Sequence, residues 1–544
     1  MSDSVREPSA SDPAPTFEKS RALAKRLLRE CRAGDAAALE RVRARLPQLA
    51  ALAPAAAAAA VRLADVQHAL AREAGVANWA ELKHAFEAAE PLAAQLRRFV
   101  GAWHENDAAT MRRVLETHPE VARTSIHTAC GACDEVLVHA FLARDPSLAT
   151  TPFAGTSWTP IVALAASPLF DTTPAHAAAS VAIARRLLEA GADPNASVPQ
   201  PGAEHVRLPV LYFAAHVGNA PLARLLLERG ARPDDGESTY QAAEHDHRGV
   251  LEALREHGAD FSSTHPHWNN TVLFYLSGYR EPDPHAASAL RGAEWLLAHG
   301  ADPNVPSGAS RETPLHRVAD FGGPLEFARV LLEHGADPGR ARADGRTALD
   351  LAERSGFEPV AALLREHGAR GTSRPADALL GACARGDEAA ARAVLAAHPG
   401  LLGALDDEDR RAPLRAAEFG NAAALRVLHA LGFDMAVHGH GRSTPLHQAA
   451  WRGYVDAVRV LLAAGVEVDP RESTYGSTPL AWAAHGSRNC RDADDDYLAV
   501  VDLLLDAGAK REPSYNHWGE PPEALCSDAV EARLRERGFA PANA

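Results

Sequence analysis

The stretch TPLHQAAWRGYVDAVRVLLAAGVEVD, from Thr444 to Asp469, decides how the chain folds. Its first half has helical character up to Gly453, and its second half continues as another helix that ends at Gly465. A similar stretch, TPLHRVADFGGPLEFARVLLEHGADP, begins at Thr313. Self-similarity at a fixed period is the mark of repeat proteins, and the rest of the chain carries further copies.

The end of this unit recurs along the chain as Leu-Leu-x-x-Gly-Ala-Asp or a close variant. One glycine marks each copy, at intervals that cluster near 33 residues: Gly191, Gly230, Gly258, Gly300, Gly335, Gly368, Gly432, Gly465, Gly508 and Gly538. The interval from Gly368 to Gly432 is about twice as long and corresponds to two units. The sequence therefore predicts a long array of similar units.

Each part of the unit has a physical role. Thr before Pro caps a helix, and Pro suits the first helical position because its missing N–H has no partner there. Leu315, Val318 and Ala319 fall on one helical face, and the marker glycine supplies a left-handed end to the second helix. One helix pair cannot bury its apolar face alone, so neighbouring pairs are expected to stack into a solenoid.

These motifs resemble the ankyrin repeat family. The boxes Thr313-Pro314-Leu315-His316 and Thr444-Pro445-Leu446-His447 carry the match, together with the Gly-Ala-Asp ends, and weaker boxes begin at Thr159, Thr347 and Thr478. The resemblance covers about residues 155 to 540. It implies an all-α ankyrin-repeat solenoid of stacked helix-turn-helix units with projecting hairpin loops.

The N-terminal third aligns with the repeats less obviously. Four stretches align without gaps and share an Asp six residues in, beginning at Glu30, Ala102, Ala129 and Ala382. They are interpreted as divergent helix pairs. The segment from Asp65 to Ala88 resembles one found ahead of the repeats in some bacterial ankyrin proteins, which suggests a bacterial source.

These patterns predict five regions. They are a disordered tail at 1–17, a divergent helical region at 18–154, repeat blocks at 155–370 and 371–512, and a capping helix pair with a tail at 513–544. Three units carry extra residues between their two helices, near Ser167, Ser277 and Gly486.

Composition excludes several classes of function. The net charge is −15, which argues against nucleic acid because binding to phosphates needs a basic face. The chain has no apolar run long enough to span a bilayer, no apolar core of a signal peptide and only six cysteines, too few for a disulfide framework. We therefore expect a cytoplasmic monomer that does not bind membranes.

Cys130-Gly131-Ala132-Cys133, flanked by His127 and His139, could bind metal or exchange disulfides. Self-alignment instead places Cys130 in an apolar helical slot and Cys133 in a turn, which favours structural cysteines. The loop histidines His265 and His267 are a weaker ligand pair. No catalytic motif is recognised, so neither enzymatic activity nor a cofactor is expected.

The remaining candidates are residues that the repeat does not need. In ankyrin proteins the partner usually meets the hairpin tips and the end of the first helix, just before the turn glycine. The candidates at helix ends are His216, Asp320, Phe321, Phe419, Trp451 and Arg452. The candidates in hairpins are Trp268, Tyr475 and Trp518. Aromatic residues and Arg dominate interface energies, so these residues are predicted to bind a partner.

The expected function is a non-catalytic scaffold that binds a protein on the concave surface of the solenoid. Two alternatives stay open at this point. One is a metal- or redox-responsive protein that uses the Cys130–Cys133 segment, and the other is a host-directed secreted effector delivered through the N-terminal tail.

Overall fold

The computed structural model describes residues 17–88, 91–200, 203–279, 283–490, 495–511, 515–517 and 519–539. The predicted tail at 1–17 lies almost wholly outside these residues. The chain divides into two compact units, Met1–Arg232 and Pro233–Ala544. The region boundaries predicted from the sequence stay a proposal.

The first unit consists mainly of helices joined by short connections. Its α-helices are Phe17–Arg32, Ala36–Arg43, Pro47–Ala50, Pro54–Ala60, Leu63–Glu73, Trp79–Ala88, Leu92–His104, Ala108–Thr117, Ile126–Gly131, Glu135–Arg144, Pro160–Ala165, Pro174–Glu189, Val210–Val217 and Ala220–Glu228. Its 3-10 helices are Pro119–Arg123, Pro146–Thr150 and Pro168–Asp171. The strands Ser197–Gln200 and Ala203–Pro209 form an antiparallel hairpin in which Val198 faces Leu208.

The second unit repeats the same helix-turn-helix pattern. Its α-helices are Ser238–Glu244, Arg248–Glu256, Val272–Leu276, Ala286–Ala298, Pro314–Phe321, Leu325–Glu333, Ala348–Ser355, Glu358–Glu366, Pro375–Ala384, Glu388–Ala397, Leu401–Ala404, Asp407–Arg410, Ala412–Glu418, Ala422–Ala430, Pro445–Trp451, Val455–Ala463, Pro479–Asn489, Tyr497–Asp506, Pro522–Leu525 and Asp528–Glu536. A 3-10 turn covers His440–Arg442. The predicted all-α repeat fold is confirmed.

The apolar faces of successive helix pairs form the core. Leu446 and Ala450 of one first helix, Leu461 of its second helix and Leu480 of the next repeat are all buried in one cluster. Burial of these side chains contributes roughly 25 cal/mol per Å² of apolar area removed from water. Gly335 ends its helix with φ of +86°, a conformation that favours glycine.

The imidazole of the Thr-Pro-Leu-His box ties one repeat to the next. His447 Nδ1 accepts the Thr444 N–H at 3.2 Å, and Nε2 donates to the Ser477 carbonyl of the following repeat at 3.2 Å. This pattern needs a neutral ring, because Nδ1 must keep its lone pair. Burial lowers the pKa of His447 to about 4. The side chain is therefore neutral at physiological pH.

A buried ionic cluster joins the repeat at Ala348 to the units that follow. The Arg346 guanidinium, 2% exposed, contacts Asp377 Oδ1 at 2.9 Å through Nε and Asp409 Oδ1 at 3.0 Å through Nη2. Arg354 contacts the same Asp409 oxygen at 3.0 Å, and Arg346 Nη1 lies 2.7 Å from Asp344 Oδ2. The two arginines offset the cost of burying Asp377 and Asp409.

Arg346→Met is expected to lower the free energy of unfolding by about 3–5 kcal/mol, because it leaves Arg354 as the one arginine of this cluster facing the buried carboxylates of Asp377 and Asp409. Urea unfolding followed by circular dichroism would measure the change. Arg392→Met is the control, since Arg392 pairs with Glu388 at the surface and should leave the unfolding midpoint unchanged. Equal losses in both variants would contradict a role for the buried cluster.

Acid should destabilise the protein partly through His447. The folded pKa of about 4 lies below the unfolded value near 6.5, so the unfolded chain binds a proton first as the pH falls. The contribution of the neutral His447 ring to the free energy of unfolding is complete above pH 6.5 and is lost progressively between pH 6.5 and 4. At pH 5 about 2 kcal/mol of it has been lost. His447→Asn, which keeps an acceptor for the Thr444 N–H, should make the urea midpoint less dependent on pH.

The matched control is His429→Asn, because His429 is exposed on the helix Ala422–Ala430. It should leave the pH dependence of the urea midpoint as in the wild type. A His447→Asn profile parallel to the wild-type profile from pH 7 to 5 would refute the assignment.

Candidate partner-binding surface

Four aromatic rings from two successive repeats line a cleft of about 430 Å³, which we call the Trp451 cleft. Trp451 lies at the end of its first helix, and its ring meets Trp482 edge-on at 6.1 Å and His485 at 5.3 Å between centroids. Tyr475 comes from the intervening hairpin, and its ring centroid lies 6.5 Å from that of Trp482. Tyr475 is 44% exposed, so the cleft opens to solvent at the hairpin side.

The backbone beneath the Trp451 cleft is closely packed. The Tyr497 hydroxyl donates to the Trp451 carbonyl at 2.8 Å, which holds the end of the first helix. Gly486 lies against the same carbonyl, and a Cβ there would come within 2.2 Å of the oxygen. The close approach of the helix Pro479–Asn489 therefore depends on this glycine, and it brings Trp482 and His485 next to Trp451.

Charged groups lie around the aromatic walls. Glu418, Arg452 and Glu520 line the Trp451 cleft, and Glu520 Oε2 accepts a hydrogen bond from Asn516 at 3.0 Å. Burial lowers the pKa of His485, although the Glu520 carboxylate acts in the opposite direction. The His485 ring is therefore neutral at pH 7. The cleft combines aromatic faces with charges of both signs.

A second cleft, of about 540 Å³, is lined by Phe321 and Phe419, and we call it the Phe321 cleft. Arg415 lies over the Phe321 ring at 5.3 Å and over the Phe419 ring at 5.8 Å, and Arg317 approaches Phe321 at 4.9 Å. Phe357 meets Phe419 at 5.4 Å between centroids. Cation–π contacts of this kind orient both the rings and the guanidinium groups. Phe321 and Phe419, far apart in sequence, thus line one cleft.

Asp320 differs from its neighbour Phe321. The sequence places both at an exposed helix end, but Asp320 is only 8% exposed and its Oδ2 accepts a hydrogen bond from Arg415 at 3.0 Å. The reason is that the Arg415 side chain of the helix Ala412–Glu418 reaches the end of the helix Pro314–Phe321. Asp320 positions Arg415 in the Phe321 cleft, and its carboxylate is engaged within the protein.

The other predicted residues lie elsewhere. His216 belongs to the first unit and is half-buried, with its ring parallel to that of Tyr212. Trp268 is 55% exposed on its hairpin, where its backbone N–H donates to His265 Nδ1 at 3.1 Å. Trp518 lies outside the described residues. Their participation in binding stays a prediction.

Sequence reasoning missed several residues of these clefts. Trp482 and His485 are three positions apart on one helix, and this spacing could have shown that they share a face. Phe357 directly follows the turn glycine Gly356, and this position in the repeat could also have identified it from the sequence. Arg415 left no such signal, because its contact with Phe321 joins units that are not sequence neighbours.

The Cys130–Cys133 segment has the environment of a packed core. Both thiols are buried, and Cys133 occupies a turn with φ of +52°. Burial raises the pKa of Cys133 to about 12 and that of Cys130 well above its usual value. Thiolates are the species that bind metals and attack disulfides, so both functions are disfavoured at neutral pH. His127 donates from Nε2 to the Thr151 carbonyl at 2.9 Å.

Comparison with known proteins identifies the repeats. The family described as ankyrin repeats in three copies matches residues 285–375 and 414–514, and a single ankyrin repeat matches residues 170–197. Human cyclin-dependent kinase 4 inhibitor B is 33% identical over 141 residues, which cover 94% of that protein and 25% of this chain. The chain belongs to the ankyrin repeat family, whose members are in general protein–protein interaction modules.

Two further relatives are longer proteins that match only in part. Zebrafish ankyrin repeat and SOCS box protein 11 is 35% identical over 112 residues, 21% of this chain and 34% of that protein. Human ankyrin repeat and SOCS box protein 16 is 28% identical over 262 residues, 46% of this chain and 45% of that protein. The chain thus spans about a third of the length of the zebrafish protein and about half of the length of the human protein.

Among solved structures, the ankyrin repeat domain of human ASB11 is 24% identical and covers 50% of this chain and all of that domain, with a TM-score of 0.25. The relatives named above are from animals, so the bacterial source suggested by the sequence stays a prediction. Within the described residues, no helix has both the length and the apolar composition needed to cross a bilayer.

Gly486→Ala is expected to displace the Trp451 carbonyl and lower the free energy of unfolding by about 1–3 kcal/mol, because the added methyl group has no room. Urea unfolding and tryptophan fluorescence would report the change. Gly101→Ala is the control, since a Cβ at this helical glycine meets nothing within 4 Å. A Gly486→Ala protein as stable as the control would contradict the tight packing.

Proposed function

We propose that the protein is a non-catalytic scaffold that binds a protein partner across the Trp451 cleft and the Phe321 cleft. One observation carries the proposal: Glu418 lines both clefts, so the two sets of aromatic rings adjoin. Aromatic residues in such a continuous surface are the side chains that most often anchor a protein interface.

The chemistry of the two clefts limits the kind of partner. Arg415 lies over the aromatic faces of the Phe321 cleft, and Arg452 lines the Trp451 cleft. Glu418 and Glu520 add carboxylates. Such a surface suits a partner segment with an apolar or aromatic anchor flanked by charged residues, since the rim of an interface is usually polar. Asp320 contributes by holding Arg415 in place.

Similarity to known proteins supports a binding role without catalysis. Cyclin-dependent kinase 4 inhibitor B, which is similar to part of this chain, is named as an inhibitor of another protein and not for a reaction of its own. Trp268, His216 and Trp518 are kept as secondary contacts in this proposal.

The proposed compartment is the cytoplasm, and the proposed state is a monomer. All six cysteines are free thiols, the usual state in a reducing compartment: Cys31, Cys130, Cys133, Cys383, Cys490 and Cys526. Four of these are buried and would not cross-link chains.

The test is affinity capture from an extract of the native host, with wild type compared against Phe321→Ala, Trp451→Ala and the double variant. The amount of captured partner should fall about 30-fold in each single variant, because a central aromatic anchor contributes roughly 2 kcal/mol or more to the binding free energy. Quantitative mass spectrometry would measure the captured amounts. Loss in both singles would also indicate that the two clefts act together.

Trp295→Ala is the matched control, because Trp295 is a half-buried tryptophan of the same unit on the second helix Ala286–Ala298, stacked on His299 at 3.9 Å. It should capture the partner as the wild type does. Circular dichroism must show that all variants are folded. Equal capture by every variant would rule out this surface, and loss in the Trp295 control as well would indicate a general stability effect.

A further inference from the structure

Two repeats of the second unit bring a carboxylate and two imidazoles together away from the clefts described above. Glu244 ends the helix Ser238–Glu244, His245 follows it, and His285 precedes the helix Ala286–Ala298. One potential ligand atom of each lies within 4.8 Å of those of the other two. We propose that Glu244, His245 and His285 bind a divalent transition-metal ion, with Zn²⁺ as the best fit.

The carboxylate of Glu244 is buried and is held in place by hydrogen bonds, as the carboxylate ligands of metal ions usually are. It is 8% exposed, and its oxygens accept hydrogen bonds from Tyr279 at 2.7 Å and Tyr275 at 2.9 Å. Gln241 Nε2 adds a longer contact at 3.4 Å. In the described part of the chain its hydrogen bonds come from these neutral groups, and no described Lys or Arg is paired with the carboxylate, whose burial favours a compensating cation. A carboxylate has about four lone-pair sites, which leaves room for a metal ion.

The ring of His245 is oriented by its own helix. Its Nδ1 lies 3.1 Å from the Gln241 carbonyl, which can only accept, so Nδ1 carries a hydrogen, and in the neutral ring the lone pair is then on Nε2. Metal-binding histidines commonly donate their second ring N–H to a backbone carbonyl in this way, which fixes the tautomer. The His245 side chain is thus prepared for coordination through Nε2.

His285 reaches this place through the extra residues near Ser277. Its ring centroid lies 5.0 Å from that of His245 and 6.2 Å from that of Tyr279, and no protein hydrogen bond to its ring is found among the described residues. Gly292, two turns further along its helix, lies against the Ala243 carbonyl, where a Cβ would come within 1.9 Å. This glycine allows the helix to approach Glu244 and His245.

The donor set selects the metal. Two imidazoles and one carboxylate suit Zn²⁺, which takes three protein ligands and a water molecule in open sites. Ca²⁺ and Mg²⁺ prefer oxygen ligands alone. Asp246 is engaged by Arg248 at 3.0 Å and Arg291 at 2.8 Å, so it is not counted as a ligand.

The experiment uses the full chain, stripped with a chelator and titrated with Zn²⁺ by calorimetry, with bound metal counted by plasma mass spectrometry. One Zn²⁺ per chain is expected. His245→Ala and His285→Ala should each weaken binding at least 100-fold. Tyr279→Phe should weaken it about 10-fold by freeing the carboxylate, as loss of an outer-shell partner does.

His257→Ala is the matched control, because His257 makes the same bond from Nδ1 to a carbonyl four residues earlier, at 2.8 Å from Ala253, and has no carboxylate partner among the described residues. It should bind Zn²⁺ as the wild type does. The Co²⁺ derivative provides a second measurement that needs no variant: a spectrum without a thiolate charge-transfer band supports nitrogen and oxygen ligands. A thiolate band, no binding by wild type, or unchanged binding in both histidine variants would overturn the proposal.

Discussion

The structure depends on one constraint: a short helix pair has an apolar face that only the next pair can cover. Leu446 and Leu461 are buried because Leu480 of the following repeat packs in the same cluster. The bond from His447 to the Ser477 carbonyl adds direction to this packing, since it joins a first helix to the hairpin that follows. Stability therefore accumulates between neighbours, as expected of a solenoid.

Departures from the regular repeat concentrate the polar chemistry. The segment around Asp409 places carboxylates on Arg346 and Arg354, and the neighbouring Arg415 reaches Asp320. A regular repeat would leave these positions to solvent or to hairpin contacts. Because buried charges need partners, the irregular segment and the arginines of the earlier repeat must be retained together.

The sequence predicted what depends on local pattern and periodicity. The Thr-Pro caps, the turn glycines and the apolar spacing all specify local structure, so the helix pairs of the repeats were predictable. It also identified Trp451, Tyr475, Phe321 and Phe419 as positions that the repeat leaves free. It could not place Arg415 over Phe321, because that contact joins units separated by other repeats. The burial of Asp320 was missed for the same reason.

The same limit explains the Glu244–His245–His285 cluster. His245 taken alone has the environment of any histidine at a helix end, with Nδ1 bonded to a carbonyl one turn earlier. His285 taken alone is a residue in an insertion. Their significance arises only when Gly292 lets the second repeat approach the first, which places both rings beside a carboxylate already held by Tyr279. In a repeat protein, a ligand set of this kind is assembled between units, so its residues must be sought across the stacking interface rather than within one copy of the motif.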